Sequence, residues 1–285
     1  MNFIPETELI LNADGSVYHL NLLPHQIAND IITVGDPNRV DMVTKHFNKV
    51  IHKVQKREFH TQTGEFNGKL ITVISTGIGT DNVDIVLNEL DALVNIDLEN
   101  RTEKEEKKQL NFYRIGTSGA LQEDIAVDSF LLSKHALGLD SLMEYYHYQL
   151  SAEEKILKDI IETNFTLPKC NYLSSCSKAL HDKFDSNFLS GITITAPGFY
   201  APQGRSIRLE TNHKELIENL TTAPLDNIRV TNLEMETSGI YALSKLLGHN
   251  AISCNALLAN RATKEFSKNP KKTMERLIEQ VLEVI

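Results

Sequence analysis

Short apolar runs alternate with amphipathic stretches along this chain of 285 residues. Apolar runs that end at glycine or at polar turns are typical of buried β-strands. Six segments fit that pattern: residues 31–34, 70–75, 112–115, 191–196, 228–231 and 251–258. Apolar residues at helical spacing predict helices at 84–94 and after Pro270. Strands alternating with helices predict an α/β fold, a single domain over residues 1–285 with a central mixed, largely parallel β-sheet covered by helices.

Two polar segments interrupt this alternation. Residues 99–108 carry closely mixed charges, which predicts a solvated helix end or loop. Residues 151–190 are polar and irregular in pattern, so we expect them at the surface. Neither segment suggests a function.

Composition excludes several classes of protein. The net charge of −9 disfavours binding to nucleic acid, because proteins that do so usually present a basic face. No apolar stretch is long enough for a membrane span, and the first residues do not resemble a signal peptide. Cys170, Cys176 and Cys254 lack CxxC spacing and are expected to be reduced thiols, which indicates the cytoplasm.

Three predicted strands end in loops that contain glycine, at residues 35–39, 76–79 and 114–119. In open α/β sheets ligands gather beyond the carboxyl ends of the strands. Glycine lets backbone N–H groups approach an anion, and arginine adds a charged, often bidentate grip on its oxygens. None of the loops is a P-loop or a dinucleotide-binding GxGxxG motif. The pattern therefore indicates a small free oxyanion.

Two further motifs carry candidate chemistry. Glu234 and Glu236 flank Met235 after an apolar strand and are either an exposed pair or acceptors for sugar hydroxyl groups. The run from Phe199 to Arg205 combines an aromatic ring, the Gln203 amide and a guanidinium. An amide both donates and accepts, as reading a base edge requires. The alternative is a turn with incidental polar residues.

Together these motifs resemble the nucleoside phosphorylase-I family (the purine and uridine phosphorylases), and within it the uridine enzymes. The resemblance extends from about Tyr18 to Arg261, with the motifs in the family's order. It implies an enzyme, a pentosyltransferase that uses phosphate to cleave a nucleoside, with Arg114, Gln203, Arg205 and Glu236 as catalytic residues. The substrate-binding residues that it implies are Gly35, Arg39, Arg57, Arg114, Thr117, Ser118, Gly119, His19, Phe199, Gln203, Arg205, Glu234, Met235, Glu236 and Arg261.

The resemblance also implies partners and cofactors. His19 and Arg57 would be lent by a neighbouring subunit, so we expect a homo-oligomer, at least a dimer and by analogy a hexamer. No cofactor is expected besides phosphate as co-substrate. The family's monovalent-cation site uses a serine where Asn82 stands here, near the retained Glu58, which argues against a bound cation.

The base assignment rests on a few residues. Gln203 and Arg205 match the Gln-x-Arg of uridine enzymes, although the surrounding loop departs from their usual Tyr-Pro-Gly-Gln-Glu-Arg. Asn260 stands near the position where bacterial hexameric purine enzymes have an aspartate. We therefore expect uridine as substrate. A purine nucleoside phosphorylase, a nucleosidase and a non-catalytic nucleoside-binding protein remain the alternatives.

Overall fold

The computed structural model describes residues 3–168, 171–184, 187–222 and 229–285. Its strands are β1 (Asp30–Val34), β2 (Lys49–Lys56), β3 (Phe59–Phe66), β4 (Lys69–Ser75), β5 (Ile96–Asp97), β6 (Thr102–Glu103), β7 (Asn111–Ala120), β8 (Phe130–Gly138), β9 (Tyr172–Ser175), β10 (Leu189–Thr195), β11 (Val230–Glu234), β12 (Asn250–Asn260) and β13 (Glu265–Phe266). Its α-helices are α1 (Pro37–Thr44), α2 (Thr80–Asn95), α3 (Ala152–Asn164), α4 (Lys178–His181), α5 (Leu216–Thr222), α6 (Thr237–Leu247) and α7 (Pro270–Val284).

One mixed sheet organises the fold. Strands β4, β1, β7 and β12 run parallel to one another, and so do β8, β10 and β11. Antiparallel pairings join β11 to β7 and β12 to β8, so that β7, β11, β10, β8 and β12 close into a ring. The antiparallel hairpin of β2 and β3 extends the sheet beyond β4. The predicted α/β fold with a mixed, largely parallel sheet is confirmed.

Helices cover both faces of this sheet, as strand periodicity requires. Neighbouring residues of a strand point to opposite faces. Ile31 accordingly packs with buried residues of α2 and α6, whereas Ile32 packs with those of α1 and α7. Among the described helices none is both long enough and apolar enough to cross a membrane.

Many described residues of 151–190 are exposed, as expected, but the expectation that the segment is irregular is wrong. Helix α3 begins with a capping box, in which Ser151 Oγ accepts from the Glu154 N–H at 3.2 Å and Glu154 accepts from the Ser151 N–H at 2.7 Å. Leu157 and Ile161, four residues apart, then pack into a core cluster with Leu173 of β9. Two buried apolar positions at helical spacing are enough to hold a helix against the sheet. The polar composition of the segment as a whole concealed this spacing. Cys170, in the same segment, lies outside the described residues.

The charged segment at 99–108 and the predicted strands agree with the expectations from the sequence. Residues 99–108 form a loop around the two-residue strand β6, with several charged side chains exposed. Most of the predicted strands are longer in the structure than in the apolar runs, since β7 and β12 continue through polar residues. The strand predicted at 228–231 is described as β11 from Val230 to Glu234, and residue 228 lies outside the described residues.

Candidate active site

The candidate site lies where the carboxyl ends of β1, β4 and β11 meet the middle of β7. The loops after β1 and β4 touch there, because a Cβ added to Gly35 would lie 3.4 Å from the Gly77 carbonyl oxygen. The loop after β4 also reaches β11, since the N–H of Gly79 donates to Glu236 Oε1 at 2.9 Å. Gly79 adopts a φ of 97°, in the region that favours glycine. The glycine loops that are distant in sequence therefore form one site.

Arg114 is the centre of the site. It is 6% exposed, and its Nη2 lies 2.6 Å from Glu236 Oε2 and 2.9 Å from Glu234 Oε2. Its Nη1 donates to Asn255 Oδ1 at 2.9 Å. Burial would lower the pKa of Arg114, but the two carboxylates raise it above its ordinary value. The guanidinium is thus a fixed positive charge in a buried setting.

The two glutamates are both buried, so the alternative of an exposed strand-end pair is wrong. Glu234 is anchored: it accepts from Thr195 Oγ1 at 2.6 Å and from the N–H groups of Glu236 and Thr237 at 3.0 Å. These contacts hold its carboxylate at the start of α6, where the helix dipole favours negative charge. Within the described residues, the Glu236 carboxylate has fewer anchors, Arg114 and the Gly79 N–H. Burial raises the pKa of Glu236, although Arg114 opposes the shift.

A second arginine approaches the same point. Arg39, in the first turns of α1, donates to the Ile115 carbonyl oxygen at 3.3 Å. Burial and then the like charge of Arg114 lower its pKa. Two guanidiniums that repel each other in a partly buried site favour an anion between them. Thr117 and Gly119 follow on β7, both half-buried, and Met235 is half-buried between the glutamates.

The run from Phe199 to Arg205 is a structured cluster rather than a loose turn. Residues Ala201–Gln203 form a single 3₁₀ turn that ends at Gly204, whose φ is 68°. That turn buries Gln203 and folds Arg205 back, so that Arg205 Nη1 donates to Gln203 Oε1 and to the Phe199 carbonyl oxygen, both at 2.6 Å. The Arg205 guanidinium also lies 3.9 Å from the centre of the Phe199 ring.

Arg261 joins this cluster from the end of β12. It donates to the Gln203 carbonyl oxygen at 3.1 Å, and its stem lies beside Gly119, where a Cβ would be 3.7 Å from Arg261 Cγ. Burial lowers the pKa of Arg261, and burial together with Arg261 lowers that of Arg205. The cluster is therefore suited to an uncharged amide-like group with carbonyl oxygens that gain negative charge.

These positions match a known family. The model of the phosphorylase superfamily matches residues 30–285. The chain belongs to the phosphorylase superfamily. It is 28% identical over 284 residues to a uridine phosphorylase of Thermococcus kodakarensis, covering 99% of this chain and 89% of that protein. It is 24% identical over 238 residues to a DeoD-type purine nucleoside phosphorylase of Bacillus velezensis, covering 82% and 84%.

A solved structure agrees with these relatives. A Trypanosoma brucei nucleoside phosphorylase, described as showing uridine phosphorylase activity, superimposes with a TM-score of 0.87 at 29% identity. The match covers 97% of this chain and 98% of that one. The resemblance inferred from the sequence motifs is therefore confirmed at the level of the family, with uridine phosphorylases among the relatives.

Two residues that the family resemblance assigns to the site lie apart from the rest of it. His19 is held by Glu89 of α2, whose carboxylate accepts from the His19 N–H at 2.9 Å and contacts Nδ1 at 2.6 Å. Arg57 lies in the turn between β2 and β3 with a φ of 57°. Both flank the Tyr18 ring, His19 at 4.8 Å between ring centres and the Arg57 guanidinium at 5.8 Å. Within the described residues, neither contacts Arg114, Glu236 or Gln203.

Asn82 stands in this chain where the family's monovalent-cation site has a serine. Its Nδ2 donates to the Ile78 carbonyl oxygen at 3.4 Å, and a Cβ on Gly77 would lie 2.5 Å from this Nδ2 and 3.2 Å from Glu58 Cγ. An amide donor therefore lies in the space beside Glu58.

Asn260 has a structural role at the end of β12. Its Nδ2 donates to the carbonyl oxygens of Gln122 and Ile125 at 2.8 and 2.7 Å. Its Oδ1 accepts from the N–H groups of Ala262 and Thr263. All the hydrogen-bonding capacity of its NH2 group is used, and an aspartate could not make these donations.

Sequence reasoning missed the residues that support Arg114. Ser253 and Asn255 of β12 both contact its Nη1, and Thr195 of β10 holds Glu234. The signal was present, because Ser253 and Asn255 are polar residues at alternating positions in an otherwise apolar predicted strand. Such residues on one face of a buried strand indicate polar partners inside the fold.

Proposed function

We propose that this protein is a uridine phosphorylase, which cleaves uridine with inorganic phosphate to uracil and ribose 1-phosphate. The observation that carries the proposal is the pairing of two features. Arg39 and Arg114 converge beside Glu236, and the Gln203–Arg205–Arg261 cluster lies next to Gly119 on the same strand as Arg114. A site for an anion therefore adjoins a site that can hydrogen-bond the carbonyl and N–H groups of a base. Phosphorolysis of a pyrimidine nucleoside requires both.

In this proposal phosphate binds between the loops after β1 and β7. Its contacts are Gly35, Arg39, Arg114 and Thr117, with Arg57 supplied by a partner subunit. Ser118 and Gly119, next along β7, also border the substrate. The ribose binds to Glu236 and Met235, with Thr117 beside it and the partner's His19 at the far end. Glu234 contributes by fixing Arg114 and the start of α6.

Cleavage of the C1′–N1 bond passes through an oxocarbenium-like state, as in glycoside hydrolysis. The carboxylate of Glu236 stabilises the positive ribosyl ring, and phosphate attacks from the opposite face with inversion. The departing uracil gains negative charge on its carbonyl oxygens, which Arg205 and Gln203 stabilise. Such contacts strengthen as charge develops, so they lower the barrier.

A purine nucleoside phosphorylase is the second candidate, favoured by the Bacillus velezensis relative. Both enzymes need the phosphate and ribose residues. Asn260 argues against purines, because both of its N–H donors are bound to backbone carbonyl oxygens and it cannot act as an acid. A nucleosidase or a nucleoside-binding protein leaves Arg39 without a charged ligand.

The deciding experiment measures free-base release from uridine, thymidine, inosine and adenosine, each with and without phosphate. Phosphate-dependent release from uridine, alone or with thymidine, is the expected result. Release from inosine or adenosine alone would overturn the base assignment, and release without phosphate would overturn the reaction.

We place the protein in the cytoplasm as a homo-oligomer, at least a dimer and by family resemblance a hexamer, because His19 and Arg57 lie apart from the site within one chain. Light scattering on the active protein tests this, and a fully active monomer would contradict it. We expect equal rates in potassium and in sodium buffers, because Asn82 replaces the serine of the family's cation site. A rate that depends on potassium would contradict that expectation.

A further inference from the structure

The closed ring of strands has a polar interior. One buried polar side chain from each of the five strands belongs to a hydrogen-bonded set that we call the polar belt: Ser118 of β7, Asn232 of β11, Thr193 of β10, Ser133 of β8 and Asn255 of β12. Four of them are 0% exposed, and Ser118 is 9% exposed. Nearly all polar groups buried at this depth are hydrogen-bonded.

The belt is a continuous chain of hydrogen bonds that begins at Arg114. Arg114 Nη1 lies 2.9 Å from Asn255 Oδ1, and Asn255 Nδ2 lies 3.0 Å from Ser133 Oγ. Ser133 Oγ lies 2.5 Å from Thr193 Oγ1. Thr193 Oγ1 lies 2.8 Å from Asn232 Oδ1, and Asn232 Nδ2 lies 2.9 Å from Ser118 Oγ. The chain leaves β7 at Arg114 and returns to it at Ser118.

The donors of this chain all point the same way. A guanidinium can only donate, so Asn255 turns its oxygen to Arg114 and its N–H to Ser133. Thr193 donates to the Asn232 oxygen, so the hydroxyl proton between Ser133 and Thr193 belongs to Ser133. Turning the Asn232 amide around would leave one of these two fully buried hydroxyl protons without an acceptor in the belt, which is costly.

One proton is then left over, on the hydroxyl of Ser118. Ser118 accepts from Asn232, and no described residue accepts from Ser118. Every second side chain of a strand lies on the same face, and Ser118 is four residues after Arg114, so the two share a face of β7. Hydrogen bonds that donate in one direction polarise one another, and here the positive charge of Arg114 stands at the start.

We propose that the polar belt is a one-way hydrogen-bond chain that fixes Arg114 at one end and presents the Ser118 hydroxyl proton to an oxygen of the bound substrate at the other. The acceptor is a phosphate oxygen or a carbonyl oxygen of the base. Asn255, Ser133, Thr193 and Asn232 are positioning residues, since they act through Arg114 and Ser118. The inference rests on the proposed function, because it takes the site beside Arg114 as the substrate site.

Thr193 is the place to test it. Thr193→Val keeps the shape but removes the hydroxyl, whereas Thr193→Ser keeps the hydroxyl but loses a methyl group. We expect the valine variant to lose about fivefold in kcat/KM, as loss of one hydrogen bond implies, and the serine variant to retain activity. The KM for phosphate and the KM for uridine, measured separately, identify the acceptor. Thr61→Val is the matched control, because Thr61 is also buried and its Oγ1 has no hydrogen-bond partner among the described residues.

A second variant keeps the test valid if Thr193→Val does not fold. Ser118→Ala removes the last hydroxyl and should give the same loss, and the double variant should lose no more than Ser118→Ala alone. Additive losses, or a serine variant as impaired as the valine variant, would overturn the inference.

Failure of the proposed function is separable from failure of the belt. Binding of inorganic phosphate and of uracil is measured by calorimetry, which needs no turnover. If wild-type protein does not cleave uridine, the proposed function fails, and weaker binding of either probe by Thr193→Val still supports the belt. Unchanged binding of both probes would overturn it.

Discussion

Gly116 lies directly beneath the guanidinium of Arg114, the residue two positions before it on β7. A Cβ at position 116 would lie 2.0 Å from Arg114 Nη1 and 2.4 Å from its Cζ, far inside contact distance. The clash is with the end of a flexible side chain, so Gly116→Ala is relieved by moving the guanidinium. That movement breaks its contacts with Glu236 and Asn255. Glycine at this position is therefore a requirement of the arginine site.

We expect Gly116→Ala to remain folded and to lose about a hundredfold in kcat/KM, the typical loss for one displaced electrostatic contact. Steady-state kinetics with varied phosphate measures the effect, and a melting curve confirms the fold. The control is Arg114→Ala with and without the glycine change. If Gly116 acts through Arg114, the double variant is no worse than Arg114→Ala, and a further loss would refute that explanation.

Glu236→Gln should separate stability from activity. Burial raises the folded-state pKa of Glu236 above its ordinary value of 4.5, against the opposing effect of Arg114. The contribution of such a group to stability is complete below 4.5 and is lost as pH rises through the folded-state pKa. Glutamine does not titrate, so the variant does not share this loss. Its free energy of unfolding, relative to that of the wild type, should therefore increase as pH rises.

Urea denaturation of both proteins between about pH 5 and about pH 8 measures this difference. The same variant should lose about a hundredfold in kcat on uridine, because it no longer places a negative charge beside the ribosyl ring. A difference in unfolding free energy that stays constant over this range would contradict the raised pKa.

The sequence predicted the centre of the fold better than its edges. Strand β1 and helix α7 follow from their apolar patterns, because their burial is a local property of the sequence. The hairpin of β2 and β3 was missed, since β2 alternates around exposed lysines and β3 contains buried polar residues such as Gln62. Gln62 is buried because its amide pairs with Thr44 and Asp41, and no local pattern reveals such partners.

Site residues were predictable as positions but not as contacts. The motifs placed Arg114, Glu234 and Glu236 together, and the structure brings them together. The start of α6 anchors Glu234 but not Glu236. This difference depends on the φ and ψ of the turn between them. The polar belt depends on β12 pairing with both β7 and β8, which joins residues more than a hundred positions apart.

Arg205→Ala is expected to lower kcat on uridine by about a hundredfold, or about 3 kcal/mol, and to leave the binding of phosphate unchanged. The guanidinium belongs to the base cluster, where it donates to Gln203, and not to the Arg39–Arg114 site. Pre-steady-state and steady-state kinetics on uridine, with calorimetry of phosphate binding, separate the two effects. Arg208→Ala is the matched control, an exposed arginine three residues further along. An unchanged kcat for Arg205→Ala would refute its role.

The position of Arg57 predicts that active sites are shared between subunits. Its side chain is exposed in the turn of the β2–β3 hairpin and, within the described residues, has no ion pair and stacks only near Tyr18. A positive φ at an arginine is strained and is kept where the surroundings require it, as at functional sites. An arginine held in this way is suited to reach a neighbouring chain.

Co-expression of two strongly impaired variants with different tags tests this directly. Arg57→Ala lacks the lent arginine, and Glu236→Gln lacks the ribose carboxylate. In a mixed oligomer the Arg57→Ala subunit keeps its own Glu236 and receives Arg57 from its partner, so one complete site is restored and activity rises well above that of either variant alone. Arg114→Ala mixed with Glu236→Gln is the control, because both changes fall in one chain's site and no mixed pair contains a complete one. If Arg57 serves its own subunit, the first mixture is as inactive as the control, since no chain then carries both residues.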